Sequence, residues 1–347
     1  MISNHWYPGC PSSQLPADRP VGTTVGDHRI VLFRDQEGRA HALLDRCCHR
    51  GFPLSESTLT QGRLRCGYHG WEYDASGCCV RIPSQSEDAP IPRTYRVQRF
   101  ICNERDGYVW IWIGDGEPSE LIGIPEVATG QWIQVAVTLQ CNYVRALEIS
   151  FDTCHVYFAH LNHPLTIRAR QFGFVQSRYE LRTTHDGCVL FNPPTSLAQD
   201  PIPPTAYIRE FHLPGLIRFA MPWRGSFSYL IFFVTPLDAC SCRMDLLVTD
   251  FDGNAGGAAR IKWCGEGVGD GKTIMDEDRR VLELVQPAYA REGESFEHHV
   301  RADRPLLTMR RILKAAERGE WSGTLPGLRR RQVISMASPA PRRAEAS

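Results

Sequence analysis

The segment CCHRGFPLSESTLTQGRLRCGYH, residues 47–69, constrains the chain more than any other. It places a Cys-x-His pair, Cys47 and His49, sixteen residues before a Cys-x-x-His pair, Cys66 and His69. Each pair mixes one thiolate with one imidazole, whereas zinc fingers usually pair Cys with Cys and His with His. The mixed set suits a 2Fe-2S cluster in which one iron takes two thiolates and the other two neutral imidazoles. Only Cys47 has the spacing to His49, so Cys48 is read as a spectator. Cys78 and Cys79 are read as small packing residues, because free Cys is commonly buried.

With 347 residues the chain is long enough for two domains with separate cores. Its 39 basic and 39 acidic side chains cancel, so no global field favours nucleic acid or a membrane surface. A small organic substrate and protein partners are expected instead. Thirteen cysteines raise the idea of a secreted disulfide scaffold, but the chain is too long for that class. The opening MISNHWYPGC lacks the apolar core of a signal peptide, so a reducing, cytoplasmic setting is expected. The longest apolar run, residues 229–234, falls far short of the roughly 18 residues of a membrane span.

The stretch IVLFRDQEGRAHALLD alternates around Glu37 and Gly38, which predicts a β-hairpin leading into the first ligand pair. GWEYDASGCCVRIP turns at residues 74–77, and GYVWIWIG, residues 107–114, reads as a buried strand closing a small β-domain. DGEPSELIGIPE marks a linker near residue 118. Beyond it WIQVAVTLQCNYVRALE starts as a strand and passes into a helical stretch holding Glu148, Asp152, His155 and His160. The strands LIRFAMPW and SYLIFFVTP follow, and the proline-rich residues 192–206 form a plain connection or a pocket lid. Helices are predicted over residues 276–289 and 306–320. The end, residues 329–347, is basic and Pro-rich and is expected to be a disordered tail.

SFDTCHVYFAHLNHP is the second cluster of chemistry, with the pattern DxxHxxxxH. Five residues apart on a regular helix, His155 and His160 point about 140° from one another, so both reach one metal only where the helix is distorted. His163 competes for the second position. Two imidazoles and one carboxylate on one face of Fe(II) leave positions open for dioxygen. Asp152 sits one turn before His155 and is better placed to hold its other ring nitrogen than to ligate. The carboxylate is then sought in MDEDRRVLELVQP, where Asp276, Glu277 and Asp278 are candidates and also plain helix-terminus acids. GEGVGDGKT, residues 265–273, is rejected as a phosphate loop because position 266 is Glu rather than Gly.

CCHRG, CGYHGWEYD, GYVWIWIGDGEP, the DxxHxxxxH element, FVTP and EDRRVLE occur in an order that resembles the Rieske non-haem iron oxygenases over nearly the whole chain. Cys48 stands where that family commonly has Pro. The resemblance implies an α+β chain: an all-β Rieske domain over residues 1–118 and a catalytic domain over 119–328, whose antiparallel sheet wraps helices in helix-grip fashion. It implies Cys47, Cys66, His49 and His69 as ligands of a Rieske 2Fe-2S cluster. It further implies His155, His160 and Asp278, with Glu283 following, at a mononuclear iron. A homotrimer is implied too, in which Asp152 relays electrons from His69 of one subunit to His155 of the next.

The implied function is a terminal oxygenase component fed by a separate reductase or ferredoxin, which uses NAD(P)H indirectly, since no GxGxxG follows a strand here. The length resembles the monooxygenase and demethylase branch, so hydroxylation or O/N-demethylation of a small, aromatic substrate is expected ahead of ring cis-dihydroxylation. An electron-transfer protein without oxygenase activity is the rival of another class. Arg46, Arg50, Arg63 and Arg65 either form a docking patch for an acidic redox partner or are solvated charge. Phe151, Tyr157, Phe172, Phe191, Phe219, Trp223 and Phe232 line a pocket or, more often for such residues, fill the core.

Overall fold

The computed structural model describes residues 1–124, 127, 131–161, 166–167, 170–171, 173–192, 207–223, 226–250, 273–285, 297–325 and 331–339. His163, Phe172, the loop residues 193–206, the glycine-rich residues 265–272, residues 286–289 of the predicted helix and residues 340–347 lie outside these. The chain divides into two compact units, Ser3–Ala128 and Thr129–Ser347 with one residue exchanged at the N-terminus. The division therefore falls beyond the linker expected near residue 118.

The first unit is all β. Strands β1 (His5–Pro11), β2 (Val21–Val25), β3 (His28–Arg34), β4 (Ala40–Leu44), β5 (Thr58–Thr60), β6 (Arg63–Arg65), β7 (Glu72–Tyr73), β8 (Cys79–Arg81), β9 (Arg99–Phe100), β10 (Cys102–Arg105) and β11 (Tyr108–Ile113) form three antiparallel sheets. The predicted hairpin is β3–β4, with Ile30 opposite Leu44 and Arg34 opposite Ala40. Its turn carries Gly38 at φ +82°, a backbone conformation that costs glycine little. The run YVWIWI of β11 is buried throughout because it lies between β1 and β10 and is covered on both faces. One apolar cluster, including Val31, Phe33, Leu43, Leu54, Leu64 and Tyr73, lies beneath the four-stranded sheet β5-β6-β7-β8 and encloses Cys47 and Cys66.

The second unit is built on one antiparallel sheet of eight strands. In spatial order these are β12 (Gln131–Leu139), β18 (Cys242–Asp250), β17 (Ser226–Pro236), β16 (Leu216–Trp223), β15 (Tyr207–His212), β14 (Gly187–Asn192), β13 (Phe174–Thr183) and β19 (Arg331–Pro339). Helices α1 (Tyr143–Phe151), α3 (Ile274–Val285) and α4 (Arg304–Glu317) share one apolar core with the sheet, and α2 (Val156–Ala159) is a single turn after α1. The expected α+β arrangement, with an antiparallel sheet holding helices, is the one observed.

One expectation is corrected. Residues 331–339, read as part of a disordered tail, form β19 and pair with β13 from Phe174 to Arg182, Ile334 opposite Tyr179. Composition misled because an edge strand needs few apolar residues: Ile334 is buried while Val333 stays half exposed, and the partner strand satisfies the backbone.

An ion-pair network joins the helices. Glu148 of α1 bonds Arg145 of the same helix and Arg310 of α4, and Glu297 bonds both arginines. Glu148 thus clamps α1 to α4 and takes no part in the His155–His160 site.

Candidate metal centres

The first ligand pair lies on the loop after β4, the second on the loop between β6 and β7. The two loops repeat one backbone pattern. The amide of Cys47 donates to Phe52 O at 2.8 Å and that of Gly51 to Cys47 O at 2.9 Å. Likewise Cys66 N donates to Trp71 O at 2.9 Å and Gly70 N to Cys66 O at 3.0 Å. Both closing glycines take positive φ, +75° and +71°, which a side chain would strain. The first loop is also tied by Asp45, whose carboxylate accepts from Ser55 N and Ser55 Oγ at 2.6 and 2.7 Å.

These loops put two thiols inside and two imidazoles outside. Cys47 and Cys66 are buried and face each other, and the Tyr73 hydroxyl lies 3.0 Å from Cys47 Sγ. Burial holds that phenol well above its ordinary pKa, so it stays a donor toward a thiolate. The His49 and His69 rings lie 4.6 Å apart, with His49 stacked on Trp71 at an interplanar angle of 3°. His49 Nδ1 is buried and accepts or donates no hydrogen bond among the described residues. A nitrogen enclosed without a partner is costly unless something binds it. Two adjacent buried sulfurs beside two adjacent ring nitrogens fit a 2Fe-2S cluster, with the two histidines at the surface side.

Cys48 is exposed and lies 3.3 Å from the Tyr73 hydroxyl, while Cys79 is buried in the apolar cluster and Cys78 is partly exposed. Of the neighbouring arginines, Arg65 is held with Arg81 on the buried Glu72. Arg46, Arg50 and Arg63 are exposed.

In the second unit the chain distorts where the histidine spacing requires it. Helix α1 ends at Asp152, whose ψ of 139° turns the backbone extended, and His155 then starts α2 with helical angles. His160 closes α2 with ψ 83°. The Asp152 carboxylate caps the new turn by accepting the amides of Cys154 at 2.8 Å and His155 at 3.1 Å. Its Oδ2 lies 3.5 Å from His155 Nδ1, ion-pair distance rather than a short hydrogen bond. Burial pushes the Asp152 carboxyl up, but His155, the Cys154 amide and the charge of Arg209 outweigh it and hold the group below its ordinary pKa.

The interruption brings His155 Nε2 within 3.6 Å and His160 Nε2 within 3.3 Å of Asp278 Oδ1, which projects from α3 just beyond its first turn. The three ligand atoms all lie within 4.8 Å of one another, and His160 and Asp278 are buried. Asp278 Oδ1 has no hydrogen-bond partner among the described residues. Burial pushes the Asp278 carboxyl up to about 6. A cation between the three groups would reverse that cost, so two imidazoles and one carboxylate of this kind fit Fe(II).

The three acids left open by the sequence have three different surroundings. Asp276 accepts from Thr273 N and Thr273 Oγ1 at 2.9 and 2.8 Å while its own amide bonds Thr273 Oγ1, a reciprocal cap at the helix start. Glu277 Oε2 sits 2.9 Å from His160 Nδ1, leaving Nε2 of that ring facing Asp278. Glu283, expected to accompany Asp278, instead accepts from Gln140 N and Arg279 and stands apart from the trio. Among the aromatics proposed for a pocket, Phe151 and Phe232 belong to the core, Phe191 packs with Val189, Ile208 and Ala220 in a separate cluster, and Tyr157 is buried. The side chain of Trp223 lies outside the described set.

Three contributors were not singled out in the sequence: Trp71 and Tyr73 around the cluster loops, and Arg209 behind the ligand segment. A signal existed for Arg209. In YIREFH strand alternation places it on the same face as Phe211, a core position, where a charge is unusual.

The Rieske [2Fe-2S] domain family matches residues 5–100. The putative toluene-4-sulfonate monooxygenase system iron-sulfur subunit of Comamonas testosteroni is 33% identical over 195 residues, 54% of this chain and 54% of that protein. The oxygenase component of dicamba O-demethylase from Stenotrophomonas maltophilia is 33% identical over 166 residues, 46% of this chain and 48% of that one. Chlorophyllide a oxygenase of Chlamydomonas reinhardtii is 35% identical over 164 residues, 24% of its length. The chain spans about half or less of the length of these curated relatives. The crystal structure of dicamba monooxygenase bound to dicamba superposes with a TM-score of 0.73 at 21% identity, covering 92% of this chain and 98% of that one.

The chain thus carries a Rieske domain and has the fold of the Rieske oxygenases. Among the described residues no helix is long and apolar enough to cross a membrane.

Proposed function

We propose that this chain is the terminal oxygenase component of a Rieske oxygenase system, which uses dioxygen and electrons from a separate reductase or ferredoxin to hydroxylate or O/N-demethylate a small, aromatic substrate. One observation carries the reading: a second, buried His-His-Asp set, His155, His160 and Asp278, in a chain that also holds the Rieske ligand loops. An electron carrier needs only the loops. It has no use for three convergent groups whose burial works against the charge on Asp278.

The residues divide the work. Cys47, His49, Cys66 and His69 would hold the 2Fe-2S cluster, and His155, His160 and Asp278 would hold one Fe(II). Bound there, the cluster supplies single electrons and the iron supplies a centre for dioxygen activation. Glu277 fixes the orientation of the His160 ring, and ligand-orienting carboxylates of this kind commonly matter 10- to 100-fold, in order of magnitude, for metal affinity. Asp152 would be the electron relay. It is partly exposed, ionised and 3.5 Å from His155 Nδ1, and each of its oxygens holds a single backbone amide, so a lone pair is left for the exposed His69 edge of a second subunit in a homotrimer.

Iron analysis tests the reading. An oxygenase holds about three irons per chain, two in the cluster and one mononuclear. A count of two, with no substrate-dependent oxygen uptake alongside a generic reductase, would leave an electron carrier. Product analysis in ¹⁸O₂ separates one incorporated oxygen from two. For the relay, Asp152→Asn is expected to keep all the iron and lose most turnover; normal turnover in that variant removes Asp152 from the path.

A further inference from the structure

Arg209 is a buried cation with an incomplete set of partners. It lies on β15 with its side chain on the core face, only 9% exposed. One terminal nitrogen, Nη1, bonds the carbonyls of Ser150, at 3.3 Å, and Asp152, at the end of α1. Neither Nε nor Nη2 finds an acceptor, and no carboxylate stands within ion-pair distance, among the described residues. The Asp152 carboxylate is turned instead to the amides of Cys154 and His155. The guanidinium plane rests 4.2 Å from the centroid of Phe219, a ring that stays partly accessible. Nearby lie the buried phenols of Tyr157 and Tyr179, and the charge of Arg209 acts on both.

A guanidinium taken out of water is costly unless an anion meets it. Two backbone carbonyls offset part of that, and holding the α1 terminus is part of what Arg209 does. The two donors left over form one edge of the planar fork that matches a carboxylate or sulfonate in bidentate fashion. It stands behind the candidate ligand segment: the carbonyl it bonds belongs to Asp152, three residues before His155, and its charge is felt at Asp278. Aromatic surface on one side and unfilled polar donors on the other is the composition of a small-molecule site.

We infer that Arg209 is the specificity-determining residue of this site and receives a carboxylate or sulfonate carried by an aromatic substrate, whose ring packs toward Phe219. The inference rests on the oxygenase reading and narrows its substrate to arene acids.

Binding decides it without requiring turnover. Iron-loaded protein is titrated calorimetrically with benzoate and benzenesulfonate, and in parallel with their uncharged counterparts benzamide and benzenesulfonamide. The anions are expected to bind tighter by on the order of 10- to 100-fold, the range of a charge-assisted bidentate pair. Arg209→Gln should abolish that preference while changing the amide affinities less than about twofold, and Arg209→Lys should restore part of it. Equal binding of acids and amides by the native protein, or no binding of either acid, overturns the inference. So does an Arg209→Gln protein that melts lower or loses iron yet keeps its preference for acids, which would make the residue a clamp on α1 alone. If Arg209→Gln does not fold, the native comparison and Arg209→Lys still decide. Iron content and oxygen uptake test the oxygenase reading separately.

Discussion

The two ligand sets solve the same problem, gathering charged or ionisable groups inside a protein, by opposite means. The cluster loops draw all four candidate ligands from residues 47–69 and hold them with matched local hydrogen bonds closed by Gly51 and Gly70. The second set takes two histidines from a broken helix and a carboxylate from residue 278, on a helix more than a hundred residues away. The first is shaped by local turns seated on one apolar cluster; the second depends on α1, α3 and the sheet being packed together. The trio therefore reports on the packing of distant elements, whereas the loops report mainly on their own turns.

Removing one ligand from each set gives the largest effects and tests whether the sets are independent. Cys66→Ser is expected to abolish the visible absorbance and electron-spin resonance of the cluster and to lower the iron count from about three to about one. Asp278→Ala is expected to do the reverse, leaving about two irons and the cluster spectrum intact. Loss of the cluster in Asp278→Ala would show that the sets fold as one.

What the sequence revealed follows the same division. CxH and CxxH spacing is legible because the ligands are local, and the hairpin before them is legible because alternation and a Glu-Gly turn coincide. DxxHxxxxH made the second pair visible and even forecast a distorted helix, which appears as the break at Asp152. The acid was not legible from residues alone, since Asp276, Glu277 and Asp278 differ only in where a helix turn points them against groups over a hundred residues distant. Arg209 was missed because a single charge in a strand is informative only once the strand's buried face is known. The strand β19 was missed because its pairing partner, β13, not its composition, makes it ordered.

A smaller loss is expected when the ligand stays and its support goes. Glu277→Gln removes the negative charge at His160 Nδ1 but keeps a group of the same size. Iron affinity should fall on the order of 10- to 100-fold, read by competition with a chelator, with the cluster unaffected. An unchanged affinity would mean that the packing of α3 alone orients the ring.

The long-range character of the second unit also gives it a pH dependence. His212, at the end of β15, bonds Asp186 at 2.7 Å and has Glu210 at 3.7 Å. Burial works against its charge, but the two carboxylates prevail and raise its pKa to about 9. The charged form is favoured in the folded chain, so this stabilisation is complete below about pH 6.5, the unfolded value, and declines as pH rises through about 9. Its size is about 2 kcal/mol once the partly exposed Asp186 is discounted for screening. Melting of native protein and His212→Gln should differ at pH 6 and converge near pH 10; a constant difference would assign His212 a packing role.

The smallest effect gives the closest contrast, because it separates two neighbours two residues apart on one helix. Asp276 lies in the first turn of α3, with Asp278 just beyond it, and faces Thr273, where it completes a reciprocal cap. Asp276→Ala should cost about 1 kcal/mol, the usual value of a lost cap, seen as a lower denaturant midpoint. Its iron content should remain about three, because the Oδ1 atom that meets both imidazoles belongs to Asp278. Depletion of iron in Asp276→Ala comparable to that in Asp278→Ala would mean that the trio depends on how the start of α3 is held as much as on which acid the helix presents.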